Sequence, residues 1–143
     1  MTEQKTPLEE NKALVRRFYD ELVNGGQLEL VDELFAPEFV EHEELPNLTP
    51  DRRGVREFLE LFRRAFPDLT FTIEHLVADG DLVAAYLTMR GTHKEDFLGI
   101  QPTGRKISVR SFDLLRVSDG KFVEHWGVTD TMAMMQQLGV EVG

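Results

Sequence analysis

RSFDLLRVSDGKFVEHWG, residues 110–127, reads as two strands folded back on each other at a turn. Asp113 and His125 stand inside those strands among Val, Leu and Phe, where a core wants no charge. Alternation places Val109, Ser111, Asp113, Leu115 and Val117 on one face, and Arg110, Phe112, Leu114 and Arg116 on the other. The first set carries less charge and is assigned to the interior. The turn then decides the partner of Asp113. A two-residue Asp119-Gly120 turn pairs it with Trp126. A three-residue Ser118-Asp119-Gly120 loop, with Gly120 left-handed, pairs it with His125. The second is preferred, because it sends Glu124 outside with Arg110 and Arg116. Directly opposite residues have Cβ atoms roughly 5 Å apart, so Asp113 and His125 are expected as hydrogen-bonded neighbours in one cavity. Burial raises a carboxyl pKa and a neighbouring imidazole can share its proton, so the pair suits proton transfer. The plainer alternative is an inert Asp–His hydrogen bond.

Upstream the pattern is helical. TPLE at residues 6–9 is a helix start, with Thr6 as N-cap, Pro7 at the first position and Glu9 closing a capping box. Leu14, Phe18 and Leu22 recur at helical spacing, and Tyr19 falls at the edge of that stripe. A short helix, QLELVDELF, ends at Ala36-Pro37, and EFVEHEE is a brief extended segment carrying His42. Thr49-Pro50 opens a helix whose buried face is Val55, Phe58, Leu59, Phe62 and Phe66. Then the period changes to two. LTFTIEHLVA sets Leu69, Phe71, Ile73, His75 and Val77 on one face. LVAAYLTMRGTH is a second strand, KEDFLGIQPTGR a loop with exposed Phe97, Leu98 and Ile100, and TDTMAMMQQLG a closing helix. Helices followed by a meander of about four long strands define an α+β fold, a curved antiparallel sheet wrapped over about three N-terminal helices. Such a sheet can leave a pocket between itself and the helices.

Composition narrows the function. The 143 residues form a single domain, 1–143, with 41% hydrophobic residues and a formal net charge of -10. That charge argues against nucleic acid and anionic membranes as partners. The chain has no Cys, which removes thiolate chemistry and Cys-ligated zinc. No metal is expected, since no HxH, HxxxH or HxxE spacing occurs. No phosphate-cradling glycine loop and no GxSxG elbow is present. MTEQKTPLEENK has no apolar signal core and no run approaches membrane-spanning length, so a soluble cytoplasmic protein is the expectation. His42 lies beside three carboxylates in EHEE, a pattern that by itself reads as a solvated acidic rim; His93 ends a strand at GTH and either lines a pocket mouth or caps the strand.

FPDL at 66–69, GTH at 91–93, FLGIQPTGR at 97–105, DGKFVEHWGVTD and MMQQLG resemble the SnoaL-like polyketide cyclase family, of the nuclear-transport-factor-2-like superfamily. The resemblance spans nearly the whole chain. It implies a cone-shaped α+β fold enclosing a hydrophobic pocket, assembly as a homodimer or larger homo-oligomer, and aldol ring closure of a polyketide ester without a cofactor. In that family the catalytic Asp lies two residues after the His of the last strand, which falls here on Gly127, and the assisting pocket His falls on Asp113. FYDELVNGG, SFDLLRV and FVEH are similar to ketosteroid isomerase segments that supply an oxyanion-hole Tyr, a protonated Asp and the base, falling on Tyr19, Asp113 and His42.

The expected function is therefore acid/base chemistry on a small hydrophobic carbonyl compound. His42 or His125 would take a proton next to the carbonyl, with Asp113 and Tyr19 stabilising the enolate. His93, Phe97, Ser111, Gly127 and Phe62 would line the pocket. The alternatives are a non-catalytic carrier of small hydrophobic molecules and, behind it, an epoxide or ester hydrolase, for which no Asp-Arg-Asp arrangement is present.

Overall fold

The computed structural model describes residues 6–45 and 47–141. Helix α1, Pro7–Arg17, starts where expected: Thr6 accepts from the Glu9 backbone and Glu9 answers to the Thr6 N–H. It continues as a π-helical segment, Phe18–Asn24, which turns Tyr19, Leu22 and Val23 into the core. A 3₁₀ turn, Leu28–Leu30, leads into the single turn α2, Val31–Leu34, and strand β1 follows directly at Phe35–Glu41. Helix α3 runs Arg52–Ala65. Its cap is Asp51, which accepts from the Gly54 N–H, rather than the Thr49-Pro50 pair; Thr49 instead donates its hydroxyl to the Asp51 carboxylate. Strands β2, Thr70–Asp79, β3, Leu82–Thr92, β4, Lys106–Ser118, and β5, Lys121–Thr129, form the expected meander, and α4, Thr131–Leu138, closes it. No helix among the described residues is long and apolar enough to cross a membrane.

The sheet has five strands in the order β1-β5-β4-β3-β2. It is mixed rather than wholly antiparallel, because EFVEHEE joins the edge as β1 and runs parallel to β5. Pro37, which cannot donate to a ladder, is tolerated on this edge strand. The inner sheet face and the helices share one core that includes Val15, Leu22, Leu34, Phe35, Phe39, Phe66, Leu87, Met89 and Phe122.

Two bulges set which side chains face inward. In β2 the register shifts between Ile73 and His75. Phe71 and Ile73 face the core, but beyond the shift Leu76 and Ala78 do, and His75 and Val77 turn outward against the simple alternation. In the β4–β5 hairpin the turn is the two-residue one: Ser118 pairs with Lys121, and Asp119 and Gly120 both have positive φ, 51° and 73°. A second shift, between Arg116 and Val117, leaves Val123 as the extra residue, so Leu115 pairs with His125 and Asp113 with Gly127. The direct Asp113–His125 pairing is thus replaced by a diagonal one. The reason is packing. A plain two-residue turn buries Phe122 but turns His125 out, and the three-residue loop does the reverse. Turn plus bulge brings both inside, with Phe122 fully buried.

Candidate active site

Between the concave sheet face and the helices lies a cavity with about 720 Å³ of empty space, part of it open to solvent. Phe18 and Tyr19, Phe58 and Phe62 of α3, and Phe71, Met89 and Leu115 of the sheet supply most of its wall. One end is polar. There Tyr19, Glu41, Glu43, Ser111, Asp113 and His125 converge from four separate stretches of chain.

Four of these groups form one hydrogen-bonded chain. The Tyr19 hydroxyl donates to Asp113 Oδ2. Asp113 Oδ1 lies 2.7 Å from His125 Nε2, and His125 Nδ1 lies 2.5 Å from Glu41 Oε2. All are largely withdrawn from solvent: the side chains of His125, Asp113 and Glu41 are 14%, 16% and 7% exposed. Burial alone would lower the His125 pKa, but the hydrogen bonds to Asp113 and Glu41 outweigh it and raise it to about 10. His125 is therefore an imidazolium between two carboxylates at neutral pH. Burial, together with the Asp113 charge, puts the Tyr19 pKa well above its usual value, so Tyr19 stays a donor.

Glu43 completes the cluster. Its backbone N–H donates to Glu41 Oε2 at 3.2 Å, which folds the chain back toward the cavity after β1 ends. Burial raises its carboxyl pKa; the positive His125 opposes that rise, and the charges of Asp113 and Glu41 add to it. A Cβ placed on Gly127 would stand 2.6 Å from Glu43 Oε2, 2.8 Å from His125 Cε1 and 2.9 Å from Asp113 Oδ1. A side chain at 127 would push those three side-chain ends aside. Glu41, Glu43 and His125 also bring ligand atoms within 4.8 Å of one another, a spacing a cation could use.

The sequence-predicted residues divide accordingly. Asp113, His125, Tyr19, Ser111 and Phe62 all line the cavity, and Gly127 sits against its polar end. Ser111 is buried, and its hydroxyl has no partner among the described residues. His42 does not face the cavity. Alternation along the β1 edge turns Glu41 and Glu43 inward and His42 outward, where it stacks on Trp126 at 4.7 Å and bonds Glu124 at 2.8 Å. His93 is not in the cavity wall either. It is fully buried against Phe66 and accepts the Thr103 N–H at 3.2 Å, pinning the loop that follows β3. Phe97 is buried rather than exposed and packs edge-on against Phe62, one layer behind the wall. Glu41 and Glu43 were missed. The signal was Phe39: a buried aromatic shares their parity in EFVEHEE, and an acidic rim would not.

A curved mixed sheet closed by helices over an apolar cavity with a polar end defines a cone-shaped α+β protein. The chain belongs to the SnoaL-like polyketide cyclase family, whose model matches residues 13–138. It is 29% identical over 120 residues to the nogalonic acid methyl ester cyclase of Streptomyces nogalater, covering 81% of this chain and 88% of that one. It is 30% identical over 130 residues to the aklanonic acid methyl ester cyclase DnrD of Streptomyces peucetius, covering 88% of each. Among solved structures, TsrD from Streptomyces laurentii superposes with a TM-score of 0.86 at 27% identity, over 96% of this chain and 100% of that one.

Proposed function

We propose that the protein is an acid/base catalyst, working without a cofactor, that closes a ring in a hydrophobic, enolisable carbonyl compound by an intramolecular aldol step. Its substrate class is the aromatic polyketide ester, as the names of its cyclase relatives suggest. The observation that carries this reading is the Tyr19–Asp113–His125–Glu41 chain standing at the polar end of an otherwise apolar cavity. A carboxylate takes the proton from the carbon beside the carbonyl, and the positive His125 and the Tyr19 hydroxyl offset the charge that grows on the enolate oxygen. His125 is not the base, because it already carries its proton. The unpartnered Ser111 hydroxyl offers a hydrogen bond to a second oxygen of the ligand.

Purified protein given aklanonic acid methyl ester should release a cyclised product, and Asp113→Asn and His125→Ala should each lower kcat about 10²–10⁴-fold with the fold intact. Undiminished turnover in both variants refutes the assignment. One feature favours a second reading, binding without catalysis: the four groups satisfy one another through their mutual hydrogen bonds. Tight binding of the ester by the wild type with no turnover would select it.

We further propose a homodimer formed through the outer face of the sheet. Tyr86 stacks on Phe112 there at 4.6 Å, and the cross-strand neighbours Phe112 and Val128 are 57% and 71% exposed.

A further inference from the structure

Tyr19, Asp113, His125 and Glu41 spend their hydrogen-bonding atoms largely on one another. For Tyr19, Asp113 and His125, proton exchange with a ligand competes with a bond inside the chain, and Glu41 keeps only Oε1 outside it. Glu43 differs. It lines the same cavity, yet its carboxylate makes no hydrogen bond to the described residues. Nor does it stand aside from the cluster, since its Oε2, His125 Cε1 and Asp113 Oδ1 all close on the one point that a side chain at position 127 would occupy.

We propose that the Glu43 carboxylate is the base that exchanges a proton with the substrate, in a slot that Gly127 leaves open. This rests on the acid/base reading above and names the group that touches the reacting carbon. Glu43 removes a proton from the carbon next to the substrate carbonyl. The C–H electron pair moves into the new C=C bond, the carbonyl π pair moves to oxygen, and Glu43 becomes a carboxylic acid. The enolate carbon then attacks a second carbonyl of the same molecule, forming the C–C bond, and Glu43 returns its proton to the resulting alkoxide. The proton count closes within the substrate and one side chain. Electrostatics agree: ionised Glu43 is a third carboxylate beside a single imidazolium, so its protonation relieves local repulsion as the enolate forms. Its raised affinity for a proton brings it nearer to the operating pH than a free Glu.

The test is Glu43→Gln and Glu43→Ala, assayed with aklanonic acid methyl ester beside wild type and Asp113→Asn. Glu43→Gln should lose about a hundredfold or more in kcat with little change in KM, and the acidic limb of the wild-type pH–rate profile should vanish. Formate added to Glu43→Ala should restore rate in proportion to its concentration, a result that a merely structural glutamate would not give. If the wild type turns over and Asp113→Asn abolishes it while Glu43→Gln stays within threefold, the assignment of Glu43 is overturned and the acid/base reading stands. If the wild type itself shows no turnover, both fall.

Discussion

A histidine fixed between two buried carboxylates makes stability depend on pH in a window set by its own titration. The folded pKa of His125 is about 10, against 6.5 for a free imidazole. At about 1.4 kcal/mol per pH unit, that gap corresponds to about 5 kcal/mol of native-state stabilisation. The sign follows from which state loses the proton first. Below pH 6.5 both folded and unfolded chains hold it, and the stabilisation is fully present. As pH rises the unfolded chain gives up its proton while the folded one keeps it, so stability drains away up to pH 10. Integrating the linkage between pH 7 and pH 9.5 gives a loss of about 3 kcal/mol. The groups involved are no more than 16% exposed, so solvent screening removes little of this. Urea unfolding at the two pH values measures it, and His125→Gln, which cannot carry the charge, is the control. The wild type should lose about 3 kcal/mol more than the variant across the window. Equal pH slopes in the two proteins would refute the imidazolium. Nitrogen-15 spectra of the wild-type imidazole test the same point without any variant, and should show His125 still doubly protonated at pH 8.

Two further perturbations probe the frame around the site. Phe112→Glu places a charge in the middle of the exposed aromatic row, and sedimentation should show the proposed homodimer for the wild type and monomer for the variant, with thermal stability nearly unchanged; a variant dimer excludes this face. Gly120→Val puts a β-branched residue at φ 73° in the hairpin turn and should cost about 1–2 kcal/mol in urea unfolding, whereas a neutral result would mean that the turn is not held in its mirror-image form.

The fold was legible because its signals were local. The Thr6 capping box, the Leu14-Phe18-Leu22 stripe and the alternation along β3 and β4 each act within a few residues, and the structure keeps them. What period alone does not show is a break in the period. His75 and Val77 continue the alternation of Phe71 and Ile73 in the sequence but point outward, because one bulged residue resets the parity. Likewise β1 joins the sheet through a parallel pairing with a strand more than eighty residues away, and nothing in EFVEHEE names that partner.

The site was legible to the extent that it lies on one hairpin. Asp113 and His125 are twelve residues apart and share a face under either register with an inward His125, so their contact survived a mistaken turn. Glu41 and Glu43 belong to the site only because β1 lies against β5, with Glu41 paired to His125 across 84 residues. That same pairing expels His42, since two adjacent strand residues cannot both face the cavity. The histidine flanked by glutamates therefore turns away from the cavity, and its neighbours Glu41 and Glu43 line it. The glycine at position 127 gains its meaning from this arrangement. Placed between Asp113, His125 and Glu43, a side chain there would have to displace a carboxylate or the imidazole, and Glu43, from the chain just after the edge strand, reaches the same point. The cost of that solution is a cluster with more negative than positive charge. Part of its stability is lost when His125 gives up its proton.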